Sequence, residues 1–185
     1  MPNSAERWTR DAVLALPDDG QRYELVDGEL LVSPSPRWRH QAALAELFRC
    51  LDPYVRQHHL GSLLWSPADL DLRSGQLVQP DLFVGASVDG GEPADWDEFG
   101  IPMLVVEVLS PSTARFDRIV KRQLYQRVGV DTYWIVDLDA RLVEMWTPGA
   151  GQPAIANRKL VWQPETAPEP LVVDLDDFFE KVSGR

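Results

Sequence analysis

Residues 103–113 read MLVVEVLSPST. Met103, Leu104, Val105, Val106, Val108 and Leu109 would send apolar side chains to both faces of a strand, the pattern of a central strand covered on either side. Glu107 interrupts that run. Removing water from an ionised carboxylate is costly, so a glutamate here requires a partner: a lysine, a metal ion or a water-filled cleft. A purely structural buried ion pair is the alternative. Downstream, FDRIVKRQLYQRV (116–128) carries Phe116, Val120, Leu124 and Val128 at helical spacing, and TYWIVD (132–137) returns as a strand. Strand, helix and strand make a βαβ unit, for which a right-handed connection is expected.

Outward from this unit, TRDAVLALP predicts a short N-terminal helix with Thr9 as N-cap and Pro17 beyond its end. YELVDGELLVS predicts a hairpin turning at Asp27 and Gly28. Ser35 and Pro36 are expected to open a long helix whose three-to-four spacing runs through Trp38, Ala42, Ala45, Phe48 and Leu51 or Asp52, with Pro53 kinking or ending it. Strands are expected near 61–65, 69–73 and 80–85. The polar loop from Ser87 to Gly100 is expected to form an insertion or flap. RLVEMWTP and the run near 155–162 are expected to add antiparallel strands to the sheet, and DLDDFFEKV to form a terminal helix. No internal repeat is evident, so the expectation is one α/β domain over 1–185, with a mixed sheet flanked by helices and a core from about 9 to 180.

The composition, 44% hydrophobic and 25% charged, is that of a globular protein. One cysteine, Cys50, rules out an internal disulfide and fits a reducing cytoplasm. The opening residues carry no apolar signal-peptide core and no run is long enough to span a bilayer, so a cytoplasmic protein is expected. A net charge of −11 argues against non-specific binding to nucleic acid. Acidic residues concentrate in 89–98 and 165–180, while Arg37, Arg39, Arg49 and Arg56 share a segment with all three histidines, and Arg115, Arg118, Lys121, Arg122 and Arg127 follow the glutamate strand. Either basic cluster could equally be a solvated helix face. His58 and His59 are adjacent rather than spaced along one helical face, which does not suggest zinc.

Asp81 follows Pro80 at the entry to the apolar strand DLFVG. If that strand neighbours the one bearing Glu107, two carboxylates converge at one end of a sheet with the Val108 carbonyl as a third oxygen, a ligand set suited to Mg²⁺. A metal held there would activate water and offset charge on a phosphate under attack. Asp117, Lys121 and Tyr125, spaced by four, form a polar stripe that could face these carboxylates; an exposed Asp117–Lys121 pair is the alternative. Asp81 could equally be a turn residue, and Glu24, alternating with Tyr23 and Leu25, could point to solvent.

The runs YELVDGEL, QPDLFV and LVVEVLSPST, followed by Phe116-Asp117, Lys121, Leu124-Tyr125 and GVDTYWIVD, resemble the Uma-two family of restriction-endonuclease-like proteins, from about residue 9 to 180. The resemblance implies the fold of the PD-(D/E)xK nuclease superfamily, with Asp81 and Glu107 as metal-binding acids. Leu109 stands where the superfamily usually has a strand lysine, and the resemblance implies that Lys121 on the helix replaces it. It further implies Glu24 as an additional carboxylate of the site and places His40 where members carry a histidine at the start of the long helix.

The resulting expectation is a Mg²⁺- or Mn²⁺-dependent DNA endonuclease in which Asp81, Glu107, Glu24 and the Val108 carbonyl hold the metal. Lys121 would orient water or offset charge, and His40, Arg115 and Arg118 would contact substrate. Cutting both strands of a duplex needs two sites, which suggests a homodimer. The charge of −11 motivates an alternative, a non-catalytic binding or oligomerisation module that keeps the nuclease fold. A hydrolase of small phosphoesters using the same acids is a third reading.

Overall fold

The computed structural model describes residues 7–72, 75–86 and 99–184. Helix α1 (Arg10–Leu14) begins as expected, the Thr9 hydroxyl accepting from the Ala12 amide at 3.3 Å. Strands β1 (Arg22–Val26) and β2 (Glu29–Ser33) form the hairpin, with Asp27 and Gly28 at φ 52° and 84°, the left-handed pair a tight Asp-Gly turn requires. On its other side β1 pairs with β5 (Leu77–Val78), and β5 with β4 (Leu70–Asp71), giving a four-stranded antiparallel sheet in the order β2-β1-β5-β4.

The main sheet has six strands in the order β10-β9-β8-β7-β6-β3: β3 (Gly61–Trp65), β6 (Leu82–Ala86), β7 (Leu104–Val108), β8 (Thr132–Asp137), β9 (Leu142–Trp146) and β10 (Ala154–Ala156). Within it only β7 and β8 are parallel. The connection between them is helical throughout: α3 (Ala114–Phe116), a π-helical turn (Asp117–Lys121) and α4 (Arg122–Val128), closed by Gly129 at φ 87°. The long helix is α2 (Trp38–Gln57), and the terminal helix α5 (Leu175–Ser183) is capped by the Asp174 side chain.

Strand alternation decides which side of the main sheet each residue serves. Leu104, Val106 and Val108 of β7 join Trp134 and Val136 of β8 beneath α2 and α5. Val105, Tyr133 and Ile135 face the other way, against Leu124 and Tyr125 of α4 and Val26 of the small sheet. Glu107 shares a face with Val105, so it looks toward α4 and the hairpin sheet.

Several expectations require correction. Helix α2 starts at Trp38 with Arg37 as N-cap, not at Ser35 and Pro36, and Pro53 lies inside it without ending it. Proline removes one helical hydrogen bond, and the buried neighbours Leu51, Tyr54 and Val55 hold the last turn in place. The buried stripe is Ala43, Leu47, Leu51, Tyr54 and Val55; of the expected face Leu51 is fully buried, Ala42 and Phe48 are partly buried against the core, and Ala45 and Trp38 are exposed. The 155–162 run does not simply extend the main sheet: β10 does, but β11 (Lys159–Trp162) pairs with β12 (Leu171–Asp174) in a separate two-stranded sheet. The expected flap at Ser87–Gly100 lies, apart from its last two residues, outside the described residues. No helix among the described residues is long and apolar enough to cross a membrane.

Leu47, 1% exposed, is seated in the core that joins α2 to the main sheet. Leu47→Ala should cost about 2–5 kcal/mol of unfolding free energy, read from chemical denaturation; a loss below about 1 kcal/mol would contradict this packing.

Candidate active site

The register of β6 against β7 pairs Leu82 with Val106 and Phe83 with Val105. Carried one step further, it sets Asp81 opposite Glu107. The two acids therefore meet at the end of β7 where the parallel pair β7 and β8 finishes, and a cleft of about 700 Å³ opens there, lined in part by Glu24, His40, Asp81, Glu107, Asp117 and Lys121. Open α/β sheets place ligands at such strand ends.

Asp81, 2% exposed, accepts from Arg22 Nη1 at 2.8 Å and from the Val108 amide at 2.9 Å, and lies 3.0 Å from His40 Nε2. Burial alone would raise its carboxyl pKa, but His40 and Arg22 more than offset that and hold it below the usual carboxylate range. Val108, expected at the site through its carbonyl, contributes its N–H to Asp81. The Nδ1 of His40 is buried and finds no hydrogen-bond partner among the described residues.

Lys121, also 2% exposed, occupies a second cluster. Its Nζ lies 2.8 Å from Glu107 Oε1, 2.8 Å from Glu24 Oε1 and 3.7 Å from Asp117 Oδ1. The Tyr125 hydroxyl donates to Glu107 at 3.2 Å and the Gln79 amide to Glu24 at 2.8 Å. Burial by itself would lower the Lys121 pKa; Glu107, Glu24 and Asp117 reverse this and hold the ammonium well above the ordinary lysine range. Burial pushes the Glu107 carboxyl well up in spite of Lys121, with Asp81 and Asp117 adding to the rise. Burial likewise lifts Asp117 to about 6. Carboxyl groups crowded around one buried ammonium ionise at a cost, which is why burial dominates at Glu107 and Asp117.

The local reasons for these positions are distinct. On β1, Arg22 and Glu24 alternate with Tyr23 and Leu25, and α1 packs on the Tyr23 and Leu25 side through Val13 and Leu16. The polar side is thereby turned inward. Glu24 is 1% exposed, so the solvent-facing alternative does not hold. The π turn points both Asp117 and Lys121 into the molecule, 2% exposed each, where the exposed-pair alternative would have left them in water. Its i→i+5 closure is a local widening often found at functional sites.

Other expected contacts fall differently. Arg118 lines the cleft, but its guanidinium is held by Asp137 at 2.8 Å and Glu144 at 2.6 Å. Arg115 is exposed and is not among the residues lining the cleft. Arg127 pairs with Asp27, Arg56 with Asp52 and Arg49 with Glu46. Arg22 and Asp117 belong to the site and were not singled out for it by sequence. Asp117 was visible in the polar stripe with Lys121, and Arg22 by its i, i+2 relation to Glu24.

The donor set fits a hard divalent cation. Every acidic ligand offers oxygen, Asp117 Oδ1 is buried without a hydrogen-bond partner among the described residues, and four carboxyl groups, Glu24, Asp81, Glu107 and Asp117, share two cationic side chains, Lys121 and Arg22. Yet no three acidic, histidine or cysteine side chains among the described residues stand together as a ready-made ligand group. Lys121 lies between Glu24 and Glu107, and Asp81 is turned to Arg22 and His40.

A crystal structure of a "putative nuclease belonging to DUF820" from Anabaena variabilis superposes with a TM-score of 0.77 at 21% identity, covering 95% of this chain and 99% of that one. At that identity the likeness speaks for the fold. No curated protein matches the chain. The sequence pattern of the Uma2 family, described as "Putative restriction endonuclease", matches residues 10–179, and so the α/β chain with carboxylates buried at its strand ends belongs to the Uma2 family.

Proposed function

We propose that the chain is a divalent-metal-dependent endonuclease that hydrolyses phosphodiester bonds of DNA, with Mg²⁺ or Mn²⁺ as its ion. The observation that carries this reading is the meeting of Asp81, Glu107 and Lys121 in the floor of one cleft, from strand ends and a helix far apart in sequence. Asp81, Glu107, Glu24 and the Val108 carbonyl would hold the ion. When bound, it would lower the pKa of water and neutralise charge on the phosphate.

The protein's own groups have separate tasks. Asp81, kept anionic by Arg22 and His40, is a fixed anchor at the β6 entry. Glu107 is the exchangeable acid, able to pass from Lys121 to a cation. An ammonium has three donors; two meet Glu24 and Glu107, and the third, with Asp117 Oδ1 farther off at 3.7 Å, would turn to a phosphate oxygen or to the attacking water. The raised pKa of Asp117 makes it a candidate to accept a proton from water in the cleft. His40 orients Asp81, and Arg118 stiffens the cleft wall through Asp137 and Glu144. A cytoplasmic setting and a homodimer with one cleft per copy belong to the same proposal, supported by the free Cys50 and by the two cuts a duplex requires.

The position of Lys121 among the acids favours one other reading, a non-catalytic module in which the ammonium permanently takes the cation's place. Calorimetric titration of Mn²⁺ beside a plasmid-cleavage assay separates the two. The nuclease reading expects metal binding and cleavage in the wild type, and loss of both in Glu107→Gln with the circular dichroism spectrum unchanged; a wild type that binds no metal and cuts nothing would establish the module.

Lys121→Met should lower cleavage by roughly 100-fold or more while leaving Mn²⁺ binding intact or tighter, because a competing cation is gone. Weaker metal binding in that variant would contradict the competition.

Asp117 also sets a pH dependence. Its folded-state pKa of about 6 exceeds the ordinary 3.8, so ionisation is disfavoured in the folded protein, and stability falls as pH rises from about 4 through about 6. Asp117→Asn avoids that loss, which amounts to at most about 3 kcal/mol. In EDTA the variant should melt several degrees above wild type at pH 8 and close to it near pH 4. Equal melting temperatures at both pH values would show that Asp117 carries no such penalty.

A further inference from the structure

Among the described residues, Trp38 is the large hydrophobic side chain the fold leaves barest. It is 84% exposed, whereas the other exposed large apolar groups lie between 39% and 56%. It does not belong to the buried stripe of α2, which runs along Ala43, Leu47 and Leu51. Trp65, the next most exposed, at least meets Phe48 edge-on at 5.1 Å, while Trp38 has no ring partner among the described residues. A bare indole of this kind calls for a ligand.

Its place indicates which ligand. Trp38 lines the same cleft as Asp81, Glu107 and Lys121. Two residues along α2 is His40, whose Nε2 is 3.0 Å from Asp81. The two side chains leave the helix in different directions, and both line the cleft that holds the carboxylates. Exposed Arg37 and Arg39 flank Trp38; Arg39 reaches Asp139 at 3.2 Å, and Arg37 makes no side-chain cap to the helix. An aromatic platform beside guanidinium groups is how proteins hold a nucleobase and its phosphate without reading sequence. In a closed duplex each base face is covered by its neighbours, so only an unstacked base can meet the indole.

Charge points the same way. Arg118, Arg127, Arg49, Arg56 and Arg39 are each paired with acids, which leaves Arg37 beside Trp38 instead of a cationic track of duplex length, on a chain of net charge −11. We infer that the cleft takes DNA with a single-stranded or unstacked nucleotide next to the phosphate over Asp81 and Glu107, and that Trp38 stacks on that base as a substrate-positioning residue. This rests on the proposed function only in taking DNA as the ligand.

The test uses the full chain in calcium buffer, with a labelled short oligonucleotide offered single-stranded or as a duplex of the same sequence, read by anisotropy and by tryptophan emission. Tighter binding of the single strand is expected, with about a tenfold loss in Trp38→Ala and most affinity retained in Trp38→Phe. Quenching on binding should be present in the wild type and much reduced in Trp38→Phe. Unchanged affinity in Trp38→Ala, preference for the duplex, or no binding by the wild type would each overturn the inference. Trp38-dependent binding without cleavage in Mg²⁺ or Mn²⁺ would uphold it and remove the hydrolytic reading; cleavage with full affinity in Trp38→Ala would do the reverse.

Discussion

The Lys121 ammonium ties three separate parts of the molecule together at one buried point. Glu24 comes from the hairpin sheet, Glu107 from the main sheet and Asp117 from the helical connection, and all three converge on one nitrogen. Without that cation, buried carboxylates on separate elements would repel each other; without them, the ammonium would be stranded in a dry interior. Buried ion pairs rarely stabilise a fold as well as an apolar core of equal volume, and breaking one by removing a single partner is strongly destabilising. Local conflict of this kind, at the mouth of a cleft, is what a fold tolerates where it works.

Two neighbouring environments divide the acids. Asp81 is satisfied by a guanidinium, an imidazole and a backbone amide and stays ionised. Burial instead raises the carboxyl pKa of Glu107 and of Asp117 above the usual range. Carboxyl groups whose pKa values are driven apart can take opposite parts in proton traffic. The separation follows from topology: Asp81 stands at the entry of β6, within reach of β1, whereas Glu107 faces the helical connection that carries Asp117.

Much of this was legible in the sequence. Glu107 announces itself because it breaks an apolar run, and Asp81 follows once its strand is set antiparallel to β7. The acid pair depends on strand register, which hydrophobic pattern fixes strongly. Glu24 was ambiguous because alternation shows that one face is polar but not what lies opposite it; only the packing of α1 on Tyr23 and Leu25 turns Glu24 inward. The resemblance to a known family resolved that ambiguity where the residues alone did not. Arg22 was hidden for the same reason. The short strands β4 and β5 have too few residues for a clear period, and the displaced stripe of α2 shows that several three-to-four spacings can be drawn through one alanine-rich segment. The π turn left no mark, since the apolar positions Phe116, Val120, Leu124 and Val128 read as ordinary helix.

That turn also constrains how the chain can vary in length. A π turn takes up one residue more than a regular helix does over the same stretch. A residue removed between Asp117 and Lys121 would let the segment close as regular helix with α3 and α4 still in phase, and the two side chains, now at i, i+3, would still share a face. A residue removed from α4, which holds no extra one, would instead turn the rest of that helix by about 100°. The turn that carries the lysine is thus where this connection can lose a residue at least cost to its core.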